Sequence, residues 1–378
     1  MNLPLIKVMC IVPNLSGGGA ERVVVTLLRH FDRSRIEPIL LALDLKGPYV
    51  KDIPTDIHVN HLHVKRVRHA WLKMIREINR INPDVIFSTM DYMNFAVLAA
   101  RRFYRKGTKL IIREANTARS ALAALPPLKR WLFKTLYQLL YPKADMIITQ
   151  SVGMYDDLLN FLPALAEQQV KQIYNPLDLG AVTRQALMLP CTWSRPGGKQ
   201  IVAAGRLTYQ KGFDLLLHAL RQVINHRQDV QLTILGEGPL RNELESLAVS
   251  LDLAQHVTFA GFQENPHRYM LHADLFVLSS RWEGFPNIVL EALACGCPVV
   301  ATDCPSGPRE ILQDNRYGYL VESQNVPALA EGMCRMLNGE IKFAAGEERA
   351  SCYDAGRITQ EYEETFHQVL TKGRRKLT

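Results

Sequence analysis

Long hydrophobic runs, low-complexity tracts and paired cysteine motifs are missing from this 378-residue chain. No stretch reaches the ~20 apolar residues of a membrane-spanning helix, and residues 1–13 lack the pattern of a signal peptide. The seven cysteines include no C-x-x-C pair. This usage disfavours a metal site and favours reduced thiols in a cytoplasmic protein.

Positive charge is in excess, and it is concentrated in the first half of the chain. The net charge is +8. Residues 1–180 hold 25 Lys and Arg against 15 Asp and Glu, a surplus of +10, whereas residues 181–378 hold 20 against 22. A basic half is suited to an anionic membrane, a phosphorylated substrate or nucleic acid.

Short apolar runs alternate with helical patterns through most of the chain, which predicts an α/β protein. The length is suited to two domains of about 150–200 residues. We predict two tandem Rossmann-like, doubly wound domains, over residues 1–180 and 199–354. Residues 181–198, which contain two prolines and a Gly-Gly pair, are predicted to be the linker. The helical pattern over residues 355–378 is compatible with packing back on the first domain.

Three glycines, Gly17, Gly18 and Gly19, follow the first predicted strand directly and open the first helix. Glycines let the backbone approach a ligand, and the N–H groups at a helix start suit an anion. The alternative is an ordinary tight turn. Their spacing does not match the dinucleotide fingerprint. An NAD-dependent oxidoreductase, which would use Asp44 at the end of the second strand, stays open as an alternative.

Two cations, Arg206 and Lys211, lie beside Gly205 in the loop after the first strand of the second domain. They can clamp a diphosphate through charge-assisted hydrogen bonds, and a solvated basic loop is the alternative. The loop at Gly236 repeats the order of strand, glycine turn and helix. The chain has no Asp-x-Asp tripeptide. That absence fits phosphate neutralisation by the two cations rather than by a divalent ion.

Two carboxylates, Glu283 and Glu291, bracket a Phe-Pro-Asn turn at the start of a predicted helix. Asn287 lies in the first turn of this helix, whose N–H groups can receive a phosphate. Glu291 lies one turn further on the same face, where it can accept hydrogen bonds from ribose hydroxyls. Glu283 lies in the preceding loop and can reach a second polyol, such as a sugar.

Six segments resemble, in order, the motifs of the family 4 glycosyltransferases, which are retaining enzymes of the GT-B fold. The segments are GGAER, GRLTYQKGFDLL, LGEGPL, VTFAGF, EGFPNIVLEALACGCPVVAT and SGPREIL. They cover nearly the whole chain and are densest over residues 201–325. The resemblance implies two Rossmann-like domains with a cleft between them, and a role in bacterial glycan or lipopolysaccharide assembly.

The resemblance also implies roles for individual residues. Arg206 and Lys211 would bind and neutralise the donor's diphosphate, Glu283 would contact the transferred sugar, and Glu291 would hold the ribose. The remaining substrate-binding positions would be Gly17, Gly18, Gly19, Gly205, Gly236, Phe262, Phe285, Pro286, Asn287, Ile288 and Val289. No metal and no cofactor is implied, since the nucleotide sugar is itself the donor substrate.

One segment, LIIREANTARS, departs from the family pattern. It offers Arg113, Glu114 and Asn116 where many members carry a His near the reacting carbon. A backbone carbonyl or the Arg113 side chain can take over the positioning of substrate, so we include Arg113 among the candidate binding residues. Alternatively, Arg113 pairs with Glu114 or with a neighbouring carboxylate.

The predicted helix over residues 126–143 carries Leu and Trp at helical spacing with flanking Lys and Arg. It is suited to a membrane interface or to packing on the sheet, and both interpretations stay open.

Together the resemblance and the residues predict a retaining, metal-independent hexosyl- or N-acetylhexosaminyltransferase. Its expected partners are a nucleotide-sugar donor, with UDP favoured, a lipid-linked saccharide acceptor and an anionic membrane surface, but no nucleic acid. It is expected in the cytoplasm, on the inner face of the cell membrane. The alternatives are an epimerase of GT-B architecture acting on a UDP-sugar and a non-catalytic membrane-binding module.

Overall fold

The computed structural model describes residues 4–188, 193 and 198–374. Two compact units are formed, one by Met1–Pro176 with Ala355–Thr378 and the other by Leu177–Asp354. The strands are β1 Ile6–Val12, β2 Ile36–Ala42, β3 His58–His61, β4 Val85–Thr89, β5 Lys109–Arg113, β6 Met146–Thr149, β7 Val170–Gln172, β8 Lys199–Ala204, β9 Val230–Leu235, β10 Val257–Gly261, β11 Leu275–Leu278, β12 Val299–Asp303 and β13 Tyr319–Glu322. The helices are α1 Gly19–His30, α2 Val67–Ile81, α3 Asp91–Ala99, α4 Ala118–Ala123, α5 Pro127–Leu140, α6 Val152–Phe161, α7 Leu179–Leu187, α8 Phe213–His226, α9 Arg241–Ser250, α10 His267–Leu271, α11 Asn287–Ala294, α12 Pro308–Leu312, α13 Val326–Leu337, α14 Gly346–Ser351 and α15 Ala355–Arg374.

The first unit is built on a seven-stranded parallel sheet of order β3-β2-β1-β4-β5-β6-β7. Alternate residues of β1, an interior strand of this sheet, enter different cores. Val8 and Cys10 pack with α1 and α15, whereas Met9 and Ile11 pack with α2, α3 and α5. Both faces of the sheet are therefore covered by helices, which explains why its strands read as nearly continuous apolar runs.

The second unit is built on a six-stranded parallel sheet of order β10-β9-β8-β11-β12-β13. Its main core joins the strands to α8, α9 and α13. The strand order reverses direction between β8 and β11, so the loops at this point open onto the carboxyl edge of the sheet, where doubly wound folds bind ligands. The prediction of two Rossmann-like, doubly wound α/β domains is confirmed.

The last helix, α15, packs on the sheet of the first unit. Ile358, Tyr362 and Phe366 are buried in the same core as α1. The ring centroid of Phe87 on β4 lies 5.7 Å from each of the Tyr362 and Phe366 ring centroids. The chain therefore completes its first unit with residues that follow the whole of the second.

Residues 181–187 do not belong to a linker, which corrects the predicted start of that segment. They form most of α7, whose first turn is capped by the Asp178 carboxylate accepting from the Ala181 N–H over 2.8 Å. The helix packs in the second unit, and the Asn265 amide donates to its Gln185 carbonyl oxygen over 2.6 Å. The later part of the predicted linker lies largely outside the described residues. No helix in the described part of the chain is long and apolar enough to cross a membrane.

Candidate active site

The loop after β8 holds Lys211 at the carboxyl edge of the second sheet. Residues Tyr209–Lys211 form one turn of 3-10 helix, and Gly212 then enters α8 with a φ of +61°. A Cβ atom at Gly212 would lie 2.1 Å from the backbone oxygen of Ser279, so only glycine fits there. The Ser279 hydroxyl donates to the Lys211 carbonyl oxygen over 2.9 Å, which ties the loop to the end of β11.

Lys211 and Glu283 form an enclosed ion pair. The Lys211 Nζ atom lies 2.6 Å from Oε1 of Glu283, and the two side chains are only 19% and 6% exposed. The Ser280 hydroxyl donates to the same carboxylate oxygen over 2.6 Å. Because little water screens these charges, their interaction is stronger than that of a surface pair. The pair joins a cation and a carboxylate that are 72 residues apart in sequence.

Arg206 is exposed, and within the described residues its side chain forms no hydrogen bond and no ion pair. Its backbone neighbourhood is nevertheless fixed, because the Leu207 N–H donates to the Glu237 carbonyl oxygen over 2.9 Å. Gly236 has a φ of +138°, and a Cβ atom there would lie 2.0 Å from the Gly205 oxygen. The loops after β8 and β9 thus pack backbone against backbone and leave the guanidinium to interact with an anion.

The first turn of α11 lies at the same edge of the sheet, and its N-cap residue, Pro286, makes no side-chain capping hydrogen bond. The Phe285 ring packs on that of Tyr353 at 5.5 Å between centroids, and the Val289 N–H donates to the Pro286 carbonyl oxygen over 2.9 Å. Exposure is intermediate for Asn287 and Ile288, and low for Phe285, Pro286 and Val289. A helix start at the carboxyl edge of a parallel sheet is suited to a phosphate.

Glu291 contacts a histidine that sequence reasoning missed. The His267 Nε2 atom lies 3.0 Å from Oε2 of Glu291, and both side chains are buried. The other ring nitrogen, Nδ1, lies 2.9 Å from Oε1 of Gln185 on α7. His267 therefore fixes the position of the Glu291 carboxylate. No spacing pattern links these three residues, so only the tertiary structure reveals the contact.

Parallel strands bring these groups to one edge of the second sheet. Arg206 and Lys211 follow β8, Gly236 follows β9, Phe262 follows β10 and Glu283 follows β11. Phe262 is 44% exposed and offers an apolar surface at this edge. The second unit by itself thus combines two cations, two carboxylates and a helix start, which is the chemistry needed to hold a phosphorylated sugar.

In the first unit, the glycine loop lies at the carboxyl end of β1. Gly17 has a φ of +100°, Gly18 is the N-cap of α1, and Gly19 is the first residue of that helix. The Tyr49 hydroxyl donates to the Gly17 carbonyl oxygen over 3.3 Å and accepts from Arg22 Nε over 2.9 Å. The loop is therefore braced by a tyrosine that its sequence context does not reveal.

Arg113 lies inside the first unit, and its side chain is not exposed at a ligand surface. The residue is 1% exposed, and its guanidinium donates to Thr89 Oγ1 over 3.1 Å and to Asn175 Oδ1. Burial lowers the pKa of Arg113, while Tyr362 and Glu114 act in the opposite direction. Neutral hydrogen-bond partners thus hold this side chain, so its burial does not support the predicted contact with substrate.

The cysteines and the other potential metal ligands form no metal site in the described part of the chain. Within residues 4–188, 193 and 198–374, no group of three or more His, Cys, Asp or Glu is arranged to hold a metal ion. The six cysteines in this part of the chain form no disulfide. Burial raises the pKa of Cys10 and of Cys295 to about 12, so these two thiols stay protonated near neutral pH and are poor nucleophiles.

Comparison with known proteins identifies the class to which this fold and site belong. A family model described as Glycosyltransferase Family 4 matches residues 17–181, and one described as Glycosyl transferases group 1 matches residues 193–359. A relative from Campylobacter jejuni, the N-acetylgalactosamine-N,N'-diacetylbacillosaminyl-diphospho-undecaprenol 4-alpha-N-acetylgalactosaminyltransferase, is 33% identical over 370 residues, covering 94% of this chain and 98% of the relative. The amylovoran biosynthesis glycosyltransferase AmsD of Erwinia amylovora is 25% identical, and the match covers 84% of this chain and 86% of AmsD.

Solved structures share the two-unit architecture. HepE of Anabaena, crystallised with UDP and glucose, superposes with a TM-score of 0.76 at 19% identity, covering 96% of this chain and all of HepE. Sucrose-phosphate synthase of Thermosynechococcus elongatus superposes with a TM-score of 0.76 at 18% identity, covering 97% and 100%. The protein is a glycosyltransferase of the GT-B fold. It belongs to glycosyltransferase family 4, as its motifs predict.

Glu291→Gln should weaken nucleotide binding about 10- to 100-fold, because a hydrogen bond to a charged group contributes about 1.5–3 kcal/mol. The amide keeps the shape of the side chain but removes the charge that a ribose hydroxyl would donate to. Titration calorimetry with UDP measures the effect, and Glu331→Gln, at an exposed position of the same unit, is the matched control. Unchanged UDP affinity in the Glu291 variant would exclude the ribose role.

Proposed function

We propose that this glycosyltransferase moves a hexose or N-acetylhexosamine from a nucleotide sugar, with UDP favoured, to a hydroxyl of a lipid-linked saccharide. The observation that supports this proposal is the enclosed Lys211–Glu283 pair, which lies at the same sheet edge as the exposed Arg206 and the start of α11. The C. jejuni relative is named for a diphospho-undecaprenol-linked acceptor, which supports the acceptor class. The UDP and glucose bound to HepE support the donor class.

The proposed reaction is a same-face substitution that retains the configuration of the sugar. The bond between the anomeric carbon and the departing phosphate oxygen breaks, and the acceptor oxygen bonds to that carbon. The acceptor proton passes to the departing phosphate. Arg206, Lys211 and the N–H groups at Asn287 stabilise the charge that develops on this phosphate. The Glu283 carboxylate accepts hydrogen bonds from hydroxyls of the transferred sugar. It also holds the Lys211 ammonium in place.

Metal independence is part of the proposal. A departing diphosphate carries negative charge that some enzymes offset with a divalent ion. Here Arg206 and Lys211 supply two positive charges at the same sheet edge. We expect EDTA to leave most of the transfer rate intact. Loss of activity in EDTA that is restored by Mg²⁺ or Mn²⁺ would overturn this part of the proposal.

The test of the function is a donor screen read by mass spectrometry, using extracted lipid-linked saccharides as acceptors. We expect one UDP-sugar to add a single sugar mass to the acceptor. The NMR coupling of the anomeric proton in the product should show that the configuration of the donor is preserved. A control reaction without acceptor distinguishes the transferase from the alternative, an epimerase. An epimerase would convert the UDP-sugar even when no acceptor is present. Conversion in that arm without glycosylated product would reject the transferase.

We further propose that the protein associates with an anionic membrane through the outer face of α5. Leu128 and Trp131 on this helix are 79% and 64% exposed, and Lys129 and Lys134 lie beside them. No Asp or Glu occurs between residues 115 and 143. A basic helix that exposes Trp and Leu is typical of proteins that lie in the membrane interface.

Binding to anionic vesicles should weaken as salt rises, because the Debye length falls from about 10 Å at 0.1 M to about 3 Å at 1 M. Replacing Leu128 and Trp131 with Ser should reduce co-sedimentation at both salt levels, since it removes apolar contact. Val249→Ser, at an exposed position of the second unit, is the control. Equal binding to neutral and anionic vesicles would contradict the membrane proposal.

A further inference from the structure

A basic groove lies in the first unit, away from the edge that carries the glycine loop. It has a volume of about 500 Å³, and its lining includes Arg102, Tyr104, Arg105, Lys106 and Lys143. The segment that forms it connects the end of α3 to the start of β5. Because strands β4 and β5 are parallel, this segment lies at their amino edge, opposite the edge where doubly wound folds bind substrates.

The cations of this groove lack acidic partners. Arg102, Arg105, Lys106 and Lys143 form no salt bridge within the described residues. The nearest acid, Asp145, is already engaged by Arg101 at 2.7 Å. No Asp or Glu occurs over residues 92–113, and none occurs over residues 115–143. Four like charges around one groove repel each other, and a bound anion would relieve this repulsion.

A buried hydroxyl in the groove also lacks a partner. The Tyr104 OH group is enclosed and forms no hydrogen bond within the described part of the chain. Burial raises the pKa of Tyr104, so the group stays protonated and can donate. An unsatisfied buried polar group costs about 1–3 kcal/mol. Because the hydroxyl is enclosed, a small rotation of the Tyr104 side chain would be needed for a ligand oxygen in the groove to accept this hydrogen bond and remove that cost.

Exposed apolar side chains flank the groove. Phe103 precedes Tyr104 directly, and Leu139 is the penultimate residue of α5, four residues before Lys143. The guanidinium of Arg102 lies 4.8 Å from the centroid of the Phe103 ring, so charge and apolar surface are adjacent. A soluble anion would need only the charge. A lipid presents a phosphate and acyl chains together, and it matches both.

We propose that this groove binds the phosphate of an anionic phospholipid headgroup while Phe103 and Leu139 contact the acyl region. The site deepens the membrane association proposed for α5 and rests on it. The connection from β5 to β6 carries α5 towards the amino edge of the sheet, and Arg101 donates to the Lys143 carbonyl oxygen there. The α5 face and the groove therefore meet at the end of that helix.

The test compares two vesicle types of equal surface charge, one with phosphatidylglycerol and one with a carboxylate lipid, cholesteryl hemisuccinate. Wild-type protein should prefer the phosphate lipid about tenfold or more. The variant Arg102→Ala/Arg105→Ala/Lys106→Ala should lose this preference. The control Lys65→Ala/Arg66→Ala/Arg68→Ala removes the same charge from exposed positions of the same unit and should keep it.

Tyr104→Phe provides a second variant. It removes only the partnerless hydroxyl, so it should fold like wild type and lower the preference several-fold. Equal loss in the groove and control triples, or a preference retained by both groove variants, would overturn the proposal. Free glycerol phosphate binding as tightly as the vesicles would assign the groove to a soluble anion instead.

The outcome is separable from the proposed transferase function. Groove variants should transfer sugar to a short-chain, water-soluble acceptor at the wild-type rate, and loss of that activity would place the groove in the catalytic machinery and reject the lipid site. If wild type binds neither vesicle type, the groove and the α5 surface fail together. The donor screen tests the transferase function independently of both results.

Discussion

Arg206→Ala should lower the rate of sugar transfer about 10²- to 10³-fold and leave the thermal midpoint of unfolding unchanged. Removing one group that stabilises charge in a transition state costs about 3–4 kcal/mol of activation free energy. The side chain is exposed and forms no hydrogen bond and no ion pair within the described residues, so its removal should cost the folded state little. Steady-state kinetics with saturating donor measure the first effect, and calorimetry measures the second.

Lys342→Ala is the matched control for Arg206→Ala, because Lys342 is an exposed cation of the same unit away from the site. It should turn over like wild type. If Arg206→Ala also turns over at a near-normal rate, Arg206 has no part in neutralising the departing phosphate. The basic loop would then be only a solvated surface.

Lys211→Ala should reduce transfer by a similar factor and should also destabilise the second unit by about 3 kcal/mol. The destabilisation arises because the substitution leaves the enclosed Glu283 carboxylate without its cation. This expectation differs from the one that sequence alone supports, in which a loop lysine is replaced without effect on the fold. Denaturant unfolding and steady-state kinetics separate the two consequences.

The double variant Lys211→Ala/Glu283→Gln tests the structural part of that effect. A neutral amide in place of the carboxylate needs no cation, so the free energy of unfolding should recover. Sugar transfer should stay low, because the leaving-group charge is still unneutralised. Recovery of activity together with stability would show that Lys211 acts only as a structural partner of Glu283.

The architecture and the main site residues were predictable because both depend on local patterns. Apolar runs alternating with amphipathic helices predict parallel sheets, and parallel strands carry the loops at their ends to a common edge. Arg206, Lys211 and Glu283 were therefore expected at one edge of the second sheet, where the structure places them. The ion pair between Lys211 and Glu283 was not expected, since it depends on the close approach of Gly212 to the end of β11.

Contacts between distant elements could not be predicted. His267 reaches Glu291 from α10, and Gln185 reaches His267 from α7, with no periodicity to relate them. Arg113 ends an apolar strand, and nothing local shows whether its side chain turns to solvent or inward. Its partners Thr89 and Asn175 come from two other parts of the chain. Local patterns predict where elements form, and they leave undetermined which side chains meet.

The position of α15 has a consequence for how the chain folds during synthesis. Residues 177–354 are translated after all strands of the first sheet and before α15. At about 5–20 residues per second, this interval lasts roughly 10 to 35 s. During this interval, Phe87 and the apolar face around it lack the contacts that Tyr362 and Phe366 later provide. The first unit to leave the ribosome is thus the last to be completed, and a chaperone that shelters this face would have its greatest effect during that interval.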